Sequence, residues 1–235
     1  MNRDRSILGI VTALEVERRW IGPTNEAVDI EVGGMGRIRA ETAATRLLER
    51  GASALVSWGI SGGLDPSLEP GTVMVPEAVV ATGEGLLQTD SGWRKRLVAE
   101  IGNSIPTSME RMVHAEEVVR SRGLKRDLRE RWKAAAVDME SAGVGRVAID
   151  AGIPWLVVRA VGDTADHELP KVVTKVSDVR GRLRIEAVLG LVFRPRLWPK
   201  LIALGLANAA AGRSMRRVWA LAGPDLAMSA DNDDR

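Results

Sequence analysis

Acidic residues that follow predicted strands are the residues of this chain best placed to do chemistry. Glu140 and Asp163 lie within residues 136–170, AVDMESAGVGRVAIDAGIPWLVVRAVGDTADHELP, at a predicted helix start and a predicted strand end. Glu15 and Glu17 follow another apolar run near the N-terminus. A carboxyl group held in place can transfer a proton or bind a polar group of a ligand. Acids from three separate segments therefore predict one site, and acids that only start helices on a solvated surface are the alternative.

The local pattern around two of these acids predicts a βαβ unit. Residues 134–137 form a short apolar run, and residues 139–151 carry apolar residues at helical spacing, with Gly152 as the stop signal. Residues 155–161 read as a buried parallel strand that ends at Gly162.

This arrangement predicts that Glu140 and Asp163 face one crevice. In an open α/β sheet, ligands bind beyond the carboxyl ends of the strands, where each helix start presents unpaired N–H groups and a positive dipole end. That field favours the ionised form of Glu140. Asp163 leaves the next strand at the same edge of the sheet. Residues 7–12 read as the first strand, and residues 13–20 read as a helical start that carries Glu17.

Two glycine-rich loops could bring backbone close to a small ligand. The first contains Gly33, Gly34 and Gly36 before a helical pattern. Its spacing does not fit GxGxxG, because Arg39 stands at the last glycine position, and no GxxxxGK sequence occurs in the chain. These facts argue against dinucleotide and P-loop sites and leave a tight structural turn as the alternative.

The second loop is predicted after a strand that ends at Ile60. Ser61, Gly62 and Gly63 read as a turn that could line the crevice, and another strand begins at Thr72. A simple surface turn is the alternative.

Composition predicts one α/β domain and excludes several kinds of chemistry. The 235 residues include no cysteine, so disulfides, zinc thiolates and a cysteine nucleophile are excluded. His114 and His167 are the two histidines, which gives little support to a metal site or a serine-histidine-acid triad. The first apolar run is too short for a secretory signal. No apolar run approaches the roughly 20 residues of a membrane-spanning helix. We therefore expect a cytoplasmic protein, soluble or peripheral on a membrane.

Five motifs together resemble the nucleoside phosphorylases and nucleosidases, a superfamily that includes nucleosidases for methylthioadenosine and adenosylhomocysteine. The motifs are GIVTALEVE, VGGMGR, ISGGLDPSLEPGTVMVP, AVDMES and VVRAVGDTAD, in that order from Ile7 to about Pro170. The resemblance implies an α/β domain with a twisted mixed sheet flanked by helices, a homodimer and no cofactor. It also implies cleavage of an N-glycosidic bond through a cationic, oxocarbenium-like sugar.

The resemblance implies a role for each acid. Glu17 resembles the acid that activates the nucleophilic water, Glu140 the ligand of the ribose hydroxyls, and Asp163 the acid that assists departure of the purine. Arg159 would orient Glu140 or the nucleophile, with a buried ion pair as its alternative role. Further residues at matching positions are expected to contact the substrate: Gly36, Ile60, Ser61, Gly62, Val118, Val119 and Met139.

The chain also departs from the pattern of these enzymes. Gly162 stands where the family often has a serine before the leaving-group acid, and Val118 and Val119 stand where related nucleosidases have aromatic residues that stack on the purine. The positions of the phosphate-binding arginines of the phosphorylases fall close to Glu15 and Ser57. Hydrolysis is therefore favoured, and phosphate held by another arginine leaves phosphorolysis as the alternative.

The C-terminal third is strongly basic. Residues 171–220 contain eleven Lys or Arg residues against Asp178 and Glu186, among apolar clusters that include Phe193 and Trp198. Such a segment could lie on an anionic membrane, pack in the core or form an oligomer interface; nucleic-acid binding is not favoured, since basicity alone is unspecific. We expect a domain over 1–182, a basic amphipathic helical extension over 183–222 and a disordered tail over 223–235.

This extension resembles the ending of the hopanoid-associated phosphorylases of bacterial lipid metabolism. That resemblance implies removal of adenine from adenosylhopane, which leaves a ribosyl or phosphoribosyl hopane. A lipid substrate would account for an apolar, basic surface beside a nucleosidase crevice. The alternatives are a soluble nucleosidase for methylthioadenosine or adenosylhomocysteine, and an inactive membrane-associated binding protein.

Overall fold

The computed structural model describes residues 6–168 and 198–228. The expected domain boundary at 182 and much of the basic extension lie outside these residues.

The described residues form one mixed sheet of ten strands with helices on both faces. The strands are β1 (Leu8–Thr12), β2 (Val28–Val32), β3 (Ala54–Gly63), β4 (Val73–Met74), β5 (Ala78–Ala81), β6 (Gly85–Gln88), β7 (Thr107–Ser108), β8 (Met112–His114), β9 (Ala136–Asp138) and β10 (Trp155–Asp163). The helices are α1 (Glu15–Arg18), α2 (Arg37–Glu49), α3 (Ser91–Ile101), α4 (Arg122–Trp132), α5 (Ser141–Asp150) and α6 (Trp198–Ala222). The prediction of a single α/β domain with a mixed sheet is confirmed.

Strand β3 is the centre of the sheet. It pairs in parallel with β1 and β10, and its last residues pair antiparallel with β9. The strand order is β6-β5-β8-β9-β3-β10-β4-β7, and β2 joins through β1. β3 and β10 are largely buried because apolar residues on both of their faces are covered by helices.

Two apolar layers fix the helices on the sheet. On one face, small residues of α2 such as Ala40 and Ala44 allow close packing against α5 and the sheet. On the other face, Trp219 of α6 meets Trp58 of β3 edge to face, with ring centroids 6.1 Å apart.

The strand–helix–strand order around Glu140 is confirmed, but the predicted βαβ direction is wrong. β9 and β10 lie on either side of β3, and β10 runs parallel to β3 whereas β9 runs antiparallel to it. Gly62 of β3 pairs with both Val137 and Asp163. The end of β3 therefore brings the segments of Glu140 and Asp163 together. The predicted βαβ unit would have done this through a crossover between parallel strands.

The turn predicted at Ser61 to Gly63 is also wrong, because β3 continues through these residues. The glycines that suggested a turn pair with β9, where Gly63 lies opposite Ala136. Without side chains of their own, Gly62 and Gly63 leave room for their neighbours on β9 and β10.

The described part of the basic extension packs against the sheet. On α6, Ala211, Met215 and Val218 are buried in the layer that also contains Trp58. In the described ranges, no helix is both long enough and apolar enough to span a membrane.

The disordered tail predicted from residue 223 does not hold for residues 223–228. Leu226 is fully buried, and its carbonyl accepts a hydrogen bond of 2.7 Å from the indole N–H of Trp93. Arg96 donates to the carbonyl of Met228 at 2.6 Å. Contacts with α3, remote in the sequence, order a segment that reads as polar and frayed.

Candidate active site

A crevice of about 220 Å³ collects the predicted acids at the ends of β3 and β10. Ten predicted site residues line it: Glu17, Ile60, Ser61, Gly62, Val118, Val119, Met139, Glu140, Arg159 and Asp163. Gly36 reaches the site through a hydrogen bond to Glu140. Acids from three distant segments thus face one volume, as the sequence predicts.

Glu17 is held by three backbone N–H groups. Ala13 and Leu14 donate to Oε2, each at 2.9 Å, and Ile60 donates to Oε1 at 2.9 Å. Burial raises the pKa of Glu17, against the lowering effect of the Arg159 guanidinium and of these N–H groups. A buried carboxylate with a raised pKa is a stronger proton acceptor than one in water.

Gly59 makes the position of Glu17 sterically possible. A Cβ atom at residue 59 would overlap the carboxylate of Glu17. The carboxyl group therefore lies directly against the backbone of β3, next to the N–H of Ile60. A carboxylate accepts about four hydrogen bonds. The three backbone donors leave one acceptor position, on Oε1.

Glu140 lies at the N-terminus of α5 without capping it. Its Oε1 accepts a hydrogen bond of 2.9 Å from Gly36 N–H, and its Oε2 lies 3.2 Å from Nη1 of Arg159. Gly36 has φ of 97°, which favours glycine. This geometry excludes helix capping as the role of the Glu140 side chain.

The ionised form of Glu140 is less favoured than its place at a helix N-terminus predicts. Burial raises the pKa of Glu140 to about 7, and the neighbouring Asp138 adds to the rise while Arg159 opposes it. Removal of the carboxylate from water and repulsion by nearby acids outweigh the helix N-terminus.

Arg159 connects the acids at this end of the crevice. It is buried, and its Nε lies 2.6 Å from Asp138 Oδ2. Its Nη1 donates to the carbonyl of Ile60 at 2.8 Å, and its Nη2 donates to Ser57 Oγ at 2.9 Å. Arg159 therefore orients Glu140 and also forms a buried ion pair, so the two roles considered from the sequence coexist.

Asp138 is a site residue that the sequence did not reveal. Its Oδ2 accepts hydrogen bonds from the backbone N–H of Ser141, at 3.1 Å, and from the hydroxyl of the same residue. Its position at the end of β9, two residues before Glu140, was the signal that could have identified it.

Asp163 lies at the end of β10 beside a second unpredicted residue, Lys125. The ammonium group of Lys125 contacts Oδ2 of Asp163 and donates to the carbonyl of Thr164 at 2.6 Å. Burial raises the pKa of Asp163, and the charges of Lys125 and His167 oppose that rise.

Much of the crevice wall is aliphatic, and Glu117 also lines it. Val118, Val119 and Val137 line the crevice together with Met139, and no aromatic side chain lines it in the part of the chain that the structure describes. The sequence has valines at the positions where relatives have stacking aromatic residues, and the described walls of the crevice contain no aromatic side chain at other positions.

A larger cavity of about 570 Å³ lies against α4 and contains none of the predicted site residues. Basic and acidic residues line it together: Arg122, Arg126, Arg129, Lys133, Glu110, Glu130 and Asp166. This mixture of charges does not select a ligand. Among the described residues, no cluster of three or more His, Asp or Glu could hold a metal ion.

Several known proteins resemble the chain. The 5′-methylthioadenosine/S-adenosylhomocysteine nucleosidase of Mycobacterium bovis is 26% identical over 179 residues, which are 59% of this chain and 70% of that protein. The aminodeoxyfutalosine nucleosidase of Campylobacter jejuni is 24% identical over 163 residues, 61% of this chain and 71% of that protein.

Solved structures share the fold. The futalosine hydrolase of Helicobacter pylori superposes with a TM-score of 0.68 at 16% identity, covering 92% of this chain and 98% of that chain. The methylthioadenosine/adenosylhomocysteine nucleosidase of Neisseria meningitidis, in complex with methylthio-immucillin-A, gives the same TM-score and identity, covering 92% of this chain and 97% of that chain. The model of the phosphorylase superfamily matches residues 18–189, and the chain therefore belongs to that superfamily.

Proposed function

We propose that the chain is a nucleosidase that hydrolyses the N-glycosidic bond of an adenosyl substrate and releases adenine. The observation that carries the proposal is the excess of acid at one end of the crevice, where Glu17, Asp138 and Glu140 surround the single guanidinium of Arg159. Such a site favours a substrate that becomes positively charged in the transition state, as a ribosyl group does when its bond to the base breaks.

Glu17 is the base for the attacking water in this proposal. Its remaining acceptor position is on Oε1, and its raised pKa favours uptake of the proton that the water loses. The bond from C1′ to the base breaks, the water oxygen binds C1′, and the water proton passes to Glu17. The geometry that supports this role is the set of three N–H bonds that keeps the carboxylate from rotating.

Glu140 binds the ribose hydroxyls, and Asp163 supplies the proton to the leaving adenine. Hydrogen bonds from the hydroxyls to Glu140 strengthen as the sugar gains positive charge. Asp163 takes its proton before the reaction from solvent, which its raised pKa supports. A positioned general acid contributes roughly 10²- to 10⁴-fold in rate.

Water rather than phosphate is the proposed nucleophile. Arg159 is the one cation that lines the crevice among the described residues, and its donors are already engaged by Asp138, Glu140, Ser57 and Ile60. A phosphate ion needs unengaged donors near C1′ and would meet the carboxylate of Glu17 there. This favours hydrolysis, with ribosyl product and adenine.

The proposed substrate is adenosylhopane. Support comes from exposed apolar residues of α6, since Ile202 is 62% and Leu206 67% exposed, one turn apart. On the inward side of the same helix, Asn208 lies against Gly162 of β10. Exposed apolar residues on a helix that packs against β10, the strand that carries Asp163, suit contact with a hydrocarbon tail of the substrate.

A soluble nucleosidase for methylthioadenosine or adenosylhomocysteine is the second candidate, and the names of the sequence relatives favour it.

An assay of free adenine and of the sugar product distinguishes the candidates. The purified protein is incubated with adenosylhopane, methylthioadenosine or adenosylhomocysteine, with and without phosphate. We expect adenine from all three, the highest kcat/KM with adenosylhopane, and no effect of phosphate. Absence of adenine from every substrate contradicts the nucleosidase proposal and leaves a binding protein. Phosphate-dependent turnover contradicts the choice of water.

Association with an anionic membrane surface and a homodimer complete the proposal. The protein is expected to sediment with anionic liposomes. The sedimented fraction is expected to be smaller for the double variant Ile202→Ser/Leu206→Ser. Leu221→Ser, on the same helix and 38% exposed, is the matched control. Equal sedimentation of both variants and the wild type contradicts a lipid contact through α6. Analytical ultracentrifugation tests the dimer.

A further inference from the structure

Helix α4 buries a charged residue and exposes an apolar one beside it. Lys125 is 1% exposed, whereas its neighbour Leu124 is 56% exposed. A buried ammonium group is costly unless it is paired and hydrogen-bonded. Departures from the usual inside-outside pattern concentrate at functional sites. The burial of Lys125 therefore indicates that the residue with which it forms an ion pair has a functional role.

Both partners of Lys125 belong to the end of β10. Its Nζ contacts Oδ2 of Asp163 and donates to the carbonyl of Thr164 at 2.6 Å. The helix start is fixed by Ser121, whose Oγ accepts a hydrogen bond of 3.2 Å from Leu124 N–H. Lys125 thus extends from an anchored first turn and grips the segment that carries the acid.

The elements around Asp163 offer little else to hold its carboxyl group. A Cβ atom at Gly162 would overlap the side chain of Ile60, so the preceding residue cannot carry a hydroxyl. β3 and β9 present Gly62 and Val137 at this point, and neither has a polar side chain. Within the described ranges, Lys125 makes the one side-chain hydrogen bond to Asp163.

We propose that Lys125 is a positioning residue that holds the Asp163 carboxyl group through Oδ2 and leaves Oδ1 directed to the leaving base. The inference rests on the proposed function, because it assigns Lys125 to the acid of that reaction. Lys125 itself does not line the crevice. Its effect on the rate passes through Asp163.

Lys125 also affects the pH at which the acid works. The charged groups that face Asp163 from the described elements are Lys125 on α4 and His167 after β10, and both lower its pKa against the effect of burial. Without Lys125, the pKa of Asp163 rises further. The protonated acid then persists to higher pH, and the alkaline fall of kcat shifts upward.

A double-mutant cycle with Lys125→Met and Asp163→Asn tests the inference through adenine release. In the wild-type background, Lys125→Met is expected to lower kcat about 10- to 100-fold, as for a misplaced catalytic group, with KM changed less than about threefold. In the Asp163→Asn background, the same change is expected to alter kcat less than about twofold. Arg126→Met, an exposed cation of the same helix, is the matched control and is expected to keep wild-type kcat.

Each outcome of the cycle decides the inference. Equal losses in the two backgrounds, or an unshifted alkaline limb in Lys125→Met, overturn it. If Lys125→Met does not fold, Lys125→Ala assayed with ethylammonium takes its place. Recovery of kcat with the amine supports the inference, and absence of recovery overturns it. A wild-type protein that releases no adenine from any substrate instead overturns the proposed function, so the two failures are distinguishable.

Discussion

The two ends of the crevice are built in different ways. At the ribose end, Glu17, Glu140 and Arg159 are fixed by several backbone and side-chain hydrogen bonds each. At the base end, Asp163 depends on one buried lysine, and the crevice wall is mostly aliphatic. In the proposed function, the rigid end holds the sugar, which is common to all nucleosides, and the sparse end combines the leaving-group acid with recognition of the base.

This difference predicts how the two ends respond to substitution. A densely bonded end loses function with small changes, because each side chain is placed by others. At the sparsely bonded end, substitutions of Asp163 or Lys125 affect the rate, whereas substitutions in the aliphatic wall, which places no reacting group, alter affinity more than rate.

The largest expected effect is that of Glu17→Gln at the ribose end. Loss of the general base is expected to lower kcat about 10³-fold, with KM little changed. Steady-state adenine release measures both constants. Glu15→Gln, two residues earlier on the same helix and outside the crevice lining, is expected to stay within about threefold of wild type. Comparable losses in the two variants would show that the base is assigned to the wrong residue.

Glu140→Gln is expected to lower kcat/KM about 10²-fold and to stabilise the fold at pH 8. Burial raises the pKa of Glu140 from 4.5 to about 7, so between these values the folded state holds a proton that the unfolded state releases. Folding stability contributed by this group therefore falls as pH rises through that window and is constant above it. The variant removes the loss of folding stability that ionisation of the buried Glu140 causes at pH 8. A gain of about 1 kcal/mol in the free energy of unfolding raises Tm by roughly 2–4 °C.

Thermal unfolding at pH 5 and pH 8 measures the predicted stabilisation. At pH 5, where Glu140 is already mostly protonated in the folded state, the gain in Tm should be smaller than at pH 8. Glu100→Gln, on the exposed side of α3, is the control and should leave Tm unchanged at both pH values. A Tm of Glu140→Gln below that of the wild type at pH 8 would refute a raised pKa at this position.

Gly59→Ala tests whether the ribose end is as tightly packed as its hydrogen bonds indicate. The added Cβ would displace the Glu17 carboxylate, and kcat is expected to fall at least about tenfold. Gly123→Ala adds a Cβ at a site with no atom within 4 Å and should retain activity. Full activity of Gly59→Ala would mean that the site tolerates displacement of Glu17.

The smallest expected effect is at the base end, where Val118→Phe introduces an aromatic face. Stacking on the purine is expected to lower KM for methylthioadenosine about three- to tenfold, with kcat nearly unchanged. Val118→Leu, which adds apolar volume without an aromatic ring, separates stacking from burial. A large loss of kcat in both variants would show that the base end is as constrained as the ribose end.

The ribose end could be predicted from the sequence because its residues lie in short motifs that resemble those of a known superfamily, with Glu17 and Glu140 beside helix starts and Arg159 within an apolar strand. Glu17, Glu140 and Arg159 all lie in such motifs, and the central strands read correctly as apolar runs. The base end could be predicted only in part. Lys125 lies in the charged stretch RGLKRDLRERW, in which exposed Leu124 reverses the usual pattern of burial, so no periodicity marks the buried residue.

The errors in the predicted fold have a similar cause. β3 was expected to end at Ile60 because Gly62 and Gly63 read as a turn, and only their pairing with β9 reveals a strand. The raised pKa of Glu140 depends on burial and on Asp138, a neighbour that also lines the crevice and pairs with Arg159. Such properties come from packing between distant segments, which local sequence signals do not record.

The attack of water on C1′ can be measured with an oxygen isotope. We expect a single-turnover reaction of the wild-type protein with methylthioadenosine in H₂¹⁸O to give free adenine and a ribosyl sugar with one ¹⁸O atom at C1, at the same rate with or without phosphate. Mass analysis of the sugar detects the label. An unlabelled sugar phosphate, or no release of adenine, would contradict hydrolysis.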